Sequence, residues 1–590
     1  MSEVSILLIV LIAILGISGL FLWRWIKHYS PPLAYDELQK DAVAGHQTDP
    51  KPSPIVLGLP LQRENPWLLS SYGKAGSIFF GAALIIYLLT RFIGLTRFPI
   101  TFFADEAAQT VLAAELVQNG FSHEGIFLPT YFLNVDKYSL SLTVYSQVVP
   151  YYLFGKSILA LRGTSVLIGM IGVVAVCMAL KHIFRTPYWW SGALLLAISP
   201  AWFMHSRTAF EAPVATALYA AFLLSYLFYL YRSPKYFVLS ILTGALTFYS
   251  YNPARVIMLV TIVLLGLSDF RYHWENRRLI LGYWWLILLC VLPYIRFQII
   301  HPFAGVDQLF LLNSYWIKNI PLHEKILQLG NQLLVGLSPT YWFFPNQIDL
   351  IRHVMKGYGH LLWATLPFAL IGIYMSFKQI RISAYRVLLI TLVGALLGAA
   401  IVEISITRAL PFIIPVTLLT AIGLSATIER FVRSYRANIA FSLSLWIVLS
   451  GLSLLIMNDA LTNGALWFRD YGLNGMQYGS PQIFEEIRDV QEKSPDTNFI
   501  LSPYWANGAS MLSRFFMDDL RKLQWGVISD YLAIDFPIDA DDIFIMLPHE
   551  YDMALRSEKA KEIRVQRIVN FPDGNPGFYF TNVDLLDSTE

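Results

Sequence analysis

Two adjacent acids, Asp105 and Glu106, follow a hydrophobic segment and are themselves followed by a helical apolar pattern through Val111, Leu112 and Leu116. An aspartate in a cleft can act as a general base that takes the proton of an attacking hydroxyl group. Its unperturbed pKa is about 4, so position matters more than basicity. The structural alternative is that Asp105 N-caps the helix and Glu106 lies in its first turn. The two interpretations are compatible.

Two more polar stretches lie between later hydrophobic segments. Arg207 and Glu211 are four residues apart, so they either pair on a helical turn or line a water-filled cavity at the edge of a helix bundle. Tyr251, Asn252 and Arg255 surround a proline, which is typical of a turn with an arginine reaching toward water. The functional alternative for this third stretch is contact with a phosphate or a sugar.

The spacing of the other basic residues, the cysteines and the histidines gives weaker indications of function. Lys137 and Arg408 are each suited either to hold an anionic phosphate or to anchor a helix at a membrane interface. Cys177 and Cys290 both lie inside apolar runs, which argues against a disulfide, a Cys/His metal site and redox chemistry. The histidines in or beside the segment 297–359 lack metal-ligand spacing and are expected to be ordinary surface residues: His301, His323, His353 and His360.

The composition predicts a protein that uses lipid as its solvent. Of 590 residues, 56% are hydrophobic and only 14% are charged, which is too apolar for a soluble chain of this length. A bilayer core of about 30 Å needs roughly 20 apolar residues per helix. About twelve transmembrane helices are predicted, near residues 4–23, 76–95, 158–180, 188–204, 210–231, 236–250, 256–269, 279–296, 360–377, 384–402, 409–427 and 439–457.

The charges of the short loops predict the orientation. Lysines and arginines concentrate in the loops 181–187, 232–235, 270–278, 378–386 and 428–438, which are cytoplasmic by the positive-inside rule. This alternation requires that residues 139–155 do not cross, and we expect a helix lying at the outer interface there. The loops 96–157 and 297–359 and the chain after residue 458 are then extracytoplasmic, together with every polar stretch named above.

The sequence therefore predicts a polytopic α-helical membrane protein with a small extracytoplasmic α/β domain. The first run lacks the basic start and the cleavage site of a signal peptide. The predicted parts are an N-terminal transmembrane helix (1–27), a cytoplasmic proline-containing linker (28–75), a membrane domain (76–460) and the α/β tail (461–590). Predicted tail strands are Phe499–Leu501, Ile543–Leu547 and Gly577–Thr581, and predicted helices are Pro481–Glu492, Asn507–Phe516 and Glu550–Lys561.

The order of these features carries a family resemblance. A hydrophobic helix leads to a proline-containing loop with the two acids, and an interfacial helix follows; the later motifs are Ala160–Ser165 at the start of a long span, Ser199–Pro200, Ser206–Arg207 and Glu211. Over residues 76–300 this order resembles the membrane-embedded GT-C glycosyltransferases. The nearest branch is that of the protein O-mannosyltransferases and aminoarabinose transferases, similar to glycosyltransferase family 39.

Members of this family pass a sugar from a polyprenyl-phosphate carrier to an acceptor hydroxyl with inversion. The resemblance implies that Asp105 is the catalytic base, with Glu106 beside it and Glu211 at a position where the family usually has aspartate. The family's Lys-Pro-Pro-Leu stretch corresponds here to Lys137-Tyr138-Ser139-Leu140, which keeps the lysine and leucine but neither proline. The resemblance thus implies that Lys137 contacts the donor phosphate.

Together, the residues and the resemblance predict an inverting glycosyltransferase in a prokaryotic plasma membrane, since the chain has no Asn-x-Ser/Thr sequon. A divalent cation, Mg²⁺ or Mn²⁺, held by Asp105 and Glu211 would also fit. The expected partners are the lipid-linked donor and membrane lipid but no nucleic acid, and the acceptor stays open. The expected catalytic residues are Asp105, Glu106 and Glu211; the expected donor-phosphate contacts are Lys137, Arg207, Arg255 and Arg408; and the expected substrate contacts are Tyr251 and Asn252.

Two other classes of protein compete with this prediction. A secondary transporter would carry broken or charged helices near the bilayer midplane and a repeat between its halves, whereas the charges here flank the helices and no repeat is visible. A membrane-anchored binding protein would need far fewer helices. Loss of sugar transfer in Asp105→Asn would separate the enzyme from both.

Overall fold

The computed structural model describes residues 73–134, 137–432, 434–534, 538–539 and 541–585. The predicted N-terminal helix 1–27 lies outside the described residues, as does the linker 28–75 apart from its last three positions. Cys177 and Cys290 are both free cysteines.

Helices dominate the first part of the described chain because its runs are apolar on nearly every face, the pattern of helices that pack inside a bundle or in lipid. Up to residue 311 the helices are α1 (Lys74–Phe92), α2 (Ala104–Gln118), α3 (Leu142–Phe154), α4 (Ile158–His182), α5 (Ser191–Ala197), α6 (Pro200–His205), α7 (Glu211–Tyr231), α8 (Phe237–Ser250), α9 (Asn252–Ser268), α10 (Phe270–Glu275), α11 (Arg277–Gly282), α12 (Trp284–Ile300) and α13 (Ala304–Leu311).

The bundle continues to residue 462. Its remaining helices are α14 (Leu322–Leu337), α15 (Pro339–Phe343), α16 (Leu366–Lys378), α17 (Ser383–Ala399), α18 (Ile406–Ala409), α19 (Ile413–Glu429) and α20 (Tyr435–Thr462). Small residues let some of these helices approach closely. Gly372 of α16 lies against the backbone of Leu419 in α19, and Gly423 of α19 lies against the backbone of Phe368 in α16, so a Cβ atom at either glycine would collide.

Within the described residues, five helical segments are long and apolar enough to cross a membrane: Ala75–Phe92, Ile158–His182, Glu211–Tyr231, Ile406–Glu429 and Arg436–Thr462. The pair α12 and α13, bent by 78°, gives a sixth. The helices α9 and α17 are apolar but shorter. The structure thus has a polytopic helical bundle, and the count of about twelve spans stays a prediction.

One predicted span is broken into two short helices. The segment predicted as a helix over 188–204 contains α5 and α6, with Ser199 between them. Pro200 cannot donate the hydrogen bond that would continue α5, and the Ser199 hydroxyl instead accepts a bond from Trp202 N at the start of α6. The chain therefore restarts a helix here and reaches the Arg207 stretch after only six residues.

The helix α3 occupies the segment that the orientation prediction requires not to cross. Its 13 residues extend about 20 Å, less than the thickness of a bilayer core. It exposes a row of large apolar side chains, with Val149, Tyr152 and Leu153 each more than half exposed. Such a face suits the interface, where the prediction places it.

Two small hairpins connect α2 to α3. The first pairs β1 (Ser122–His123) with β2 (Ile126–Phe127), and the second pairs β3 (Phe132–Asn134) with β4 (Lys137–Leu140), both antiparallel. The second hairpin positions the site, because its strands carry Asn134 and Lys137 directly opposite each other.

The tail forms a mixed five-stranded sheet in the order β6-β5-β7-β9-β8. Its strands are β5 (Phe499–Leu501), β6 (Leu523–Trp525), β7 (Ile543–Met546), β8 (Ala560–Asn570) and β9 (Pro576–Leu585), and its helices are α21 (Ser480–Lys493), α22 (Ala509–Phe516), α23 (Ile528–Ile534) and α24 (Pro548–Leu555). The strands β6, β5 and β7 are parallel, whereas β9 and β8 are antiparallel to their neighbours. The prediction of a helix over Glu550–Lys561 is wrong beyond Leu555, because the strand β8 begins at Ala560.

Candidate active site

Asp105 lies at the second position of α2 and is partly exposed. The N-cap of this helix is Phe103, and no side chain caps it. The predicted capping role of Asp105 is therefore wrong, because the helix begins one residue earlier, at Ala104. Both acids do lie in the first turn, where the helix dipole favours them.

The Asp105 carboxylate is held by a residue that the sequence analysis did not select. Asn134 Nδ2 donates to Asp105 Oδ1 at 2.5 Å. The Asn134 side chain is only 1% exposed, and its Oδ1 has no hydrogen-bond partner among the described residues. Asn134 therefore fixes the orientation of Asp105 while leaving a buried acceptor beside it.

Glu211 and Lys137 complete this side of the site. Glu211 is the first residue of α7 and is largely buried. Its carboxylate lies close enough to Asp105 for the two to repel each other, and close enough to Lys137 for attraction. The Lys137 amine makes no hydrogen bond within the described part of the chain. Two acids and one cation from three separate segments thus converge.

Arg352 adds a second cation, from the loop after α15. Its guanidinium lies within electrostatic reach of Asp105 and near the Phe103 ring, 6.0 Å from the ring centroid. Arg352 Nη1 donates to Gly475 O at 3.3 Å. This residue was missed by the sequence analysis, although a basic residue in a loop predicted to be extracytoplasmic is an exception to the positive-inside rule and was a usable signal.

Arg408, in the short helix α18, is the third cation. Its Nη1 donates to Glu403 O at 2.8 Å and to Ser405 Oγ at 3.2 Å. Its Nε and Nη2 make no hydrogen bond with any described residue and remain available to a ligand. Tyr251 lies beside Arg408 and within electrostatic reach of both acids of the site. Two predicted contacts, Arg408 and Tyr251, thus come together with Asp105.

The floor of the site is aromatic. The rings of Phe103 and Phe210 lie 5.4 Å apart, and His353 packs against both, at 6.4 and 5.9 Å. His205 stacks on His353 at 5.7 Å. Burial lowers the pKa of the His353 imidazole well below its usual range, and repulsion from neighbouring basic groups adds to the shift. His353 is therefore half-buried among these rings, and not an ordinary surface histidine as predicted.

His360 is buried, at 3% exposure, and it too was predicted to lie at the surface. Its Nε2 lies 2.9 Å from Asp349 Oδ2, and Ile406 N donates to Asp349 Oδ1 at 2.6 Å. The His360 carbonyl accepts a bond from Ala201 N. The pair His360–Asp349 therefore joins three segments of the bundle and holds the loop that carries Arg352.

Glu106 faces away from Asp105 into the protein and is 0% exposed. Its carboxylate accepts two bonds from Arg162, at 2.9 and 2.8 Å, and a third from Ala209 N at 2.9 Å. The remaining donors of Arg162 reach the carbonyls of Leu95, Pro99 and Thr101. The acceptor capacity of Glu106 is thus taken up by a bidentate ion pair that locks α2 to α4, and this placement argues against its predicted catalytic role.

Arg207 is fully buried at the end of α1. It donates to the carbonyls of Phe98, Thr90, Arg91 and Ile93 at 2.7–3.0 Å. These bonds satisfy carbonyl groups that the end of α1 leaves unpaired. Arg207 therefore neither pairs with Glu211 nor faces the site, and its predicted phosphate contact does not fit this geometry.

Asn252 and Arg255 lie at the start of α9, under the second hairpin. Asn252 Nδ2 donates to Tyr138 O at 3.3 Å and to Gln308, and its Oδ1 accepts from Arg255. This leaves Asn252 little capacity to bind a substrate directly. The Arg255 guanidinium covers the Tyr131 ring at 4.0 Å, and its Nε has no partner among the described residues.

An apolar groove of about 780 Å³ runs between α7, α8, α9 and α12. Phe222, Gly244 and Met258 line its interior, and Tyr249 and Tyr294 line one end. The Arg255 guanidinium lies 5.8 Å from the Tyr294 ring. The groove therefore ends near a cation, which suits an amphiphile with an apolar chain and an anionic head.

The sequence is compatible with a divalent cation held by Asp105 and Glu211, without requiring one. In the described residues no group of three or more His, Cys, Asp and Glu side chains converges. Two carboxylates with the unpaired Oδ1 of Asn134 nearby do fit Mg²⁺, which is usually held by one or two carboxylates together with water and substrate phosphates. They do not fit a closed structural zinc site.

The chain is similar to known proteins in sequence and in fold. Residues 142–297 match the family described as dolichyl-phosphate-mannose-protein mannosyltransferase. No curated protein sequence matches the chain. The crystal structure of ArnT from Cupriavidus metallidurans bound to undecaprenyl phosphate is 12% identical, with a TM-score of 0.50, over 86% of this chain and 98% of that chain.

Two other solved structures show lower TM-scores. The apo structure of the same ArnT is 13% identical, with a TM-score of 0.49, over 86% of this chain and 97% of that chain. The oligosaccharyltransferase AglB from Archaeoglobus fulgidus, in complex with an inhibitory peptide and a dolichol-phosphate, is 13% identical, with a TM-score of 0.48, over 87% of this chain and 74% of that chain.

The sequence match covers α3 to most of α12 and includes Glu211, Tyr251 and Arg255. The ArnT likeness concerns the fold alone. Over residues 142–297 the chain is thus similar to a mannosyltransferase family, and in fold it is similar to ArnT.

Proposed function

We propose that the protein transfers a sugar from a polyprenyl-phosphate donor to an acceptor hydroxyl, with inversion, and that Asp105 is the general base. The observation that carries this proposal is the placement of Asp105. It is a partly exposed carboxylate, fixed by Asn134, with Arg352 within electrostatic reach and with Lys137 close to the neighbouring Glu211. This arrangement provides a proton acceptor next to a site for an anion.

The proposed reaction is a single displacement. The acceptor oxygen attacks the anomeric carbon while the bond from that carbon to the phosphate oxygen breaks, and the acceptor's proton passes to Asp105. The lipid phosphate leaves with the electrons of the broken bond. Lys137, Arg352 and Arg408 are the cations suited to stabilise the negative charge that develops on it.

The apolar groove supports a donor with a lipid chain. ArnT, which is similar to this chain in fold, is described in complex with undecaprenyl phosphate. A prenyl chain in the groove would place its phosphate at the end formed by Tyr249 and Tyr294, next to Arg255. In this proposal Arg255 joins Lys137, Arg352 and Arg408 in binding the phosphate, and Tyr251 contacts the sugar.

A divalent cation is compatible with this site. Mg²⁺ or Mn²⁺ would be held by Asp105 and Glu211 and would supply charge neutralisation of the leaving phosphate. Lys137 lies close enough to Glu211 to offset part of the repulsion between the two acids.

We further propose that the site faces the extracytoplasmic side of a prokaryotic plasma membrane. The helix α7 has 21 residues and extends about 30 Å, so Glu211 and Arg232 lie at opposite ends of the bundle. Arg232 contacts His182 at the end of α4, and the basic loops 181–187 and 232–235 meet there. By the positive-inside rule the end with the basic loops is cytoplasmic, and the Asp105 end is then outside.

Asp105→Asn tests the proposal. In purified protein with a polyprenyl-phosphate sugar, we expect the variant to lose transfer by at least about a hundredfold, because the amide cannot accept the proton. Asp489→Asn, at an exposed site on α21, is a matched control that we expect to keep full activity. Undiminished transfer by Asp105→Asn, with an unchanged melting temperature, would reject the proposal.

A further inference from the structure

A second cavity, of about 570 Å³, lies on the tail sheet and plays no part in the proposed transfer step. Tyr504 and Trp505, from the loop after β5, form one wall, and Leu547 to His549, from the loop after β7, form another. The segment 469–473 and the turn between β8 and β9 close it. We refer to this cavity as the tail crevice.

The topology of the sheet explains why a crevice forms here. The chain leaves β5 through α22 toward β6 on one side, whereas it leaves β7 through α24 toward β8 at the opposite edge. Since β5 and β7 are parallel neighbours, the loops at their carboxyl ends diverge. In open α/β sheets such a switch point is where ligands bind.

The side chains of the tail crevice include one exposed aromatic ring together with acidic, amide and basic groups. Tyr504 is 59% exposed, so its ring is accessible to a ligand in the crevice. Trp505 is 1% exposed, and its Nε1 has no partner among the described residues. Asp573 orders Asn575 by accepting bonds from its backbone and side-chain nitrogens, at 3.0 and 2.8 Å. Arg469 is also exposed at the rim.

This chemistry suits a saccharide. A pyranose ring has an apolar C–H face that packs on an aromatic ring, and its hydroxyl groups both donate to carboxylates and accept from amides and guanidinium groups. Peptides that bind a sheet as an added strand use an unpaired edge, and the edges of this sheet are β6 and β8. The crevice instead lies at the ends of the two inner strands β5 and β7.

The tail crevice is joined to the Asp105 site by one segment of chain. Tyr471 stacks on Phe571 at 5.2 Å beside the crevice, and four residues later the Gly475 carbonyl accepts the bond from Arg352. The segment that lines the crevice thus also contacts Arg352, a residue of the Asp105 site.

We propose that the tail crevice binds a saccharide, and, resting on the proposed transferase function, that this saccharide is part of the acceptor. Binding of the saccharide does not require the donor or Asp105. The two proposals are therefore separable by experiment.

The test measures binding of the full-length protein in detergent to immobilised oligosaccharides of hexoses, N-acetylhexosamines and uronic acids, with random peptides on the same surface. We expect at least one saccharide class to bind, and Tyr504→Ala to weaken its binding by about tenfold because the ring contact is lost. Tyr504→Phe keeps the ring and should bind within about twofold of the unmodified protein. Trp525→Ala, on the edge strand β6 and 38% exposed, is the matched control and should also bind normally.

Three outcomes would overturn the proposal: no saccharide binds, peptides alone bind, or Tyr504→Ala binds saccharide as well as the unmodified protein. The Asp105→Asn variant separates the two proposals, since it should lose transfer yet retain saccharide binding. If Asp105→Asn transferred the sugar normally, the proposed function would be rejected. The proposal for the tail crevice would then be judged by the saccharide-binding data alone.

Discussion

The neighbouring acids Asp105 and Glu106 have opposite environments. Consecutive residues of an α-helix point about 100° apart, so one faces the cleft while the other enters the interior. Asp105 is partly exposed and bound by one amide, whereas Glu106 is fully buried and bound by Arg162 and a backbone nitrogen. The base of the proposed reaction needs accessible lone pairs, and of these two acids Asp105 is the one that has them. We therefore assign Glu106 to positioning.

Glu106→Gln should destabilise the protein rather than abolish a chemical step. The change leaves the Arg162 charge buried without a counter-ion, which typically costs about 3–5 kcal/mol. We expect a clear drop in melting temperature in detergent, with Asp105→Asn as the isosteric control that melts normally. A Glu106→Gln variant with normal melting and a large loss of turnover would instead place Glu106 in the chemistry.

The pH dependence of stability should report on His353. Its pKa lies well below the usual value because the packed ring is desolvated, and repulsion from His205, Arg352 and Arg408 adds to the shift. The unfolded chain takes up this proton below about pH 6.5 and the folded chain does not. Stability therefore falls as the pH drops below about 6.5, by at most about 1.4 kcal/mol per pH unit from this group.

His353→Gln should reduce that dependence. The measurement is the difference in melting temperature between about pH 7.5 and about pH 5.5, which we expect to shrink in the variant. His323→Gln, on the exposed side of α14, should leave the difference unchanged. An identical difference in His353→Gln would show that another group carries the effect.

Among the helices, α1 and α18 show why similar arginines have different roles. Arg207 is fixed by the C-terminal carbonyls of α1, and every atom of its head group is engaged. Arg408 lies at the end of a four-residue helix and uses only Nη1. The unpaired carbonyls at the end of a helix engage the guanidinium nitrogens of Arg207. Arg408 lies in a short turn, and most of its guanidinium therefore stays free to bind a ligand.

Matched Arg→Met variants should separate the two roles. We expect Arg408→Met to melt normally and to raise the KM for the donor by about 10–100-fold, since a charge-assisted hydrogen bond contributes about 1.5–3 kcal/mol. Arg207→Met should instead lower the melting temperature, because it leaves the α1 carbonyls unpaired. Steady-state kinetics at varied donor concentration and thermal unfolding measure both. The reverse pattern would assign the phosphate to Arg207.

A second hydrophobic core, separate from that of the bundle, joins α2 to the tail in the described protein. Apolar residues of α2 pack with those of α21, α22 and the sheet, and the Phe102 ring contacts Phe515 at 4.8 Å. Charged contacts reinforce this union: Lys156 lies 2.8 Å from Asp518, and Arg514 pairs with Glu115. The tail thus supports α2, the helix that carries Asp105 in its first turn.

A chain that ends at Thr462 should therefore lose activity although it keeps every residue proposed to take part in the transfer step. Removing the tail exposes the apolar face of α2 to water, which favours aggregation. We expect a broad size-exclusion profile and little transfer. Tyr504→Ala in the full-length protein is the control that alters the tail but keeps this core. A monodisperse, fully active truncated chain would show that the tail is dispensable for the fold of the site.

The helices and inner strands could be predicted because the apolar runs that indicate them lie within short stretches of the sequence. Apolar runs predict α1, α4, α7 and α20, and the short apolar runs at β5 and β7 match the observed strands within a residue. The edge strand β8 was missed because it exposes most of its charged side chains and therefore lacks the alternation of a half-buried strand. Breaks such as the one at Ser199 depend on a single proline inside an otherwise helical run.

Local sequence also singled out the acids and most of the cations around Asp105, but it did not separate Asp105 from Glu106 or Arg408 from Arg207. Those distinctions depend on which carbonyls, rings and counter-ions surround each side chain. The partners of Glu106 and Arg207 lie roughly 50 to 120 residues away along the chain. Asn134 and Arg352 reach Asp105 only because a hairpin and a distant loop fold over α2. Hydropathy depends on composition, whereas these pairings depend on tertiary packing, and only the folded protein specifies them.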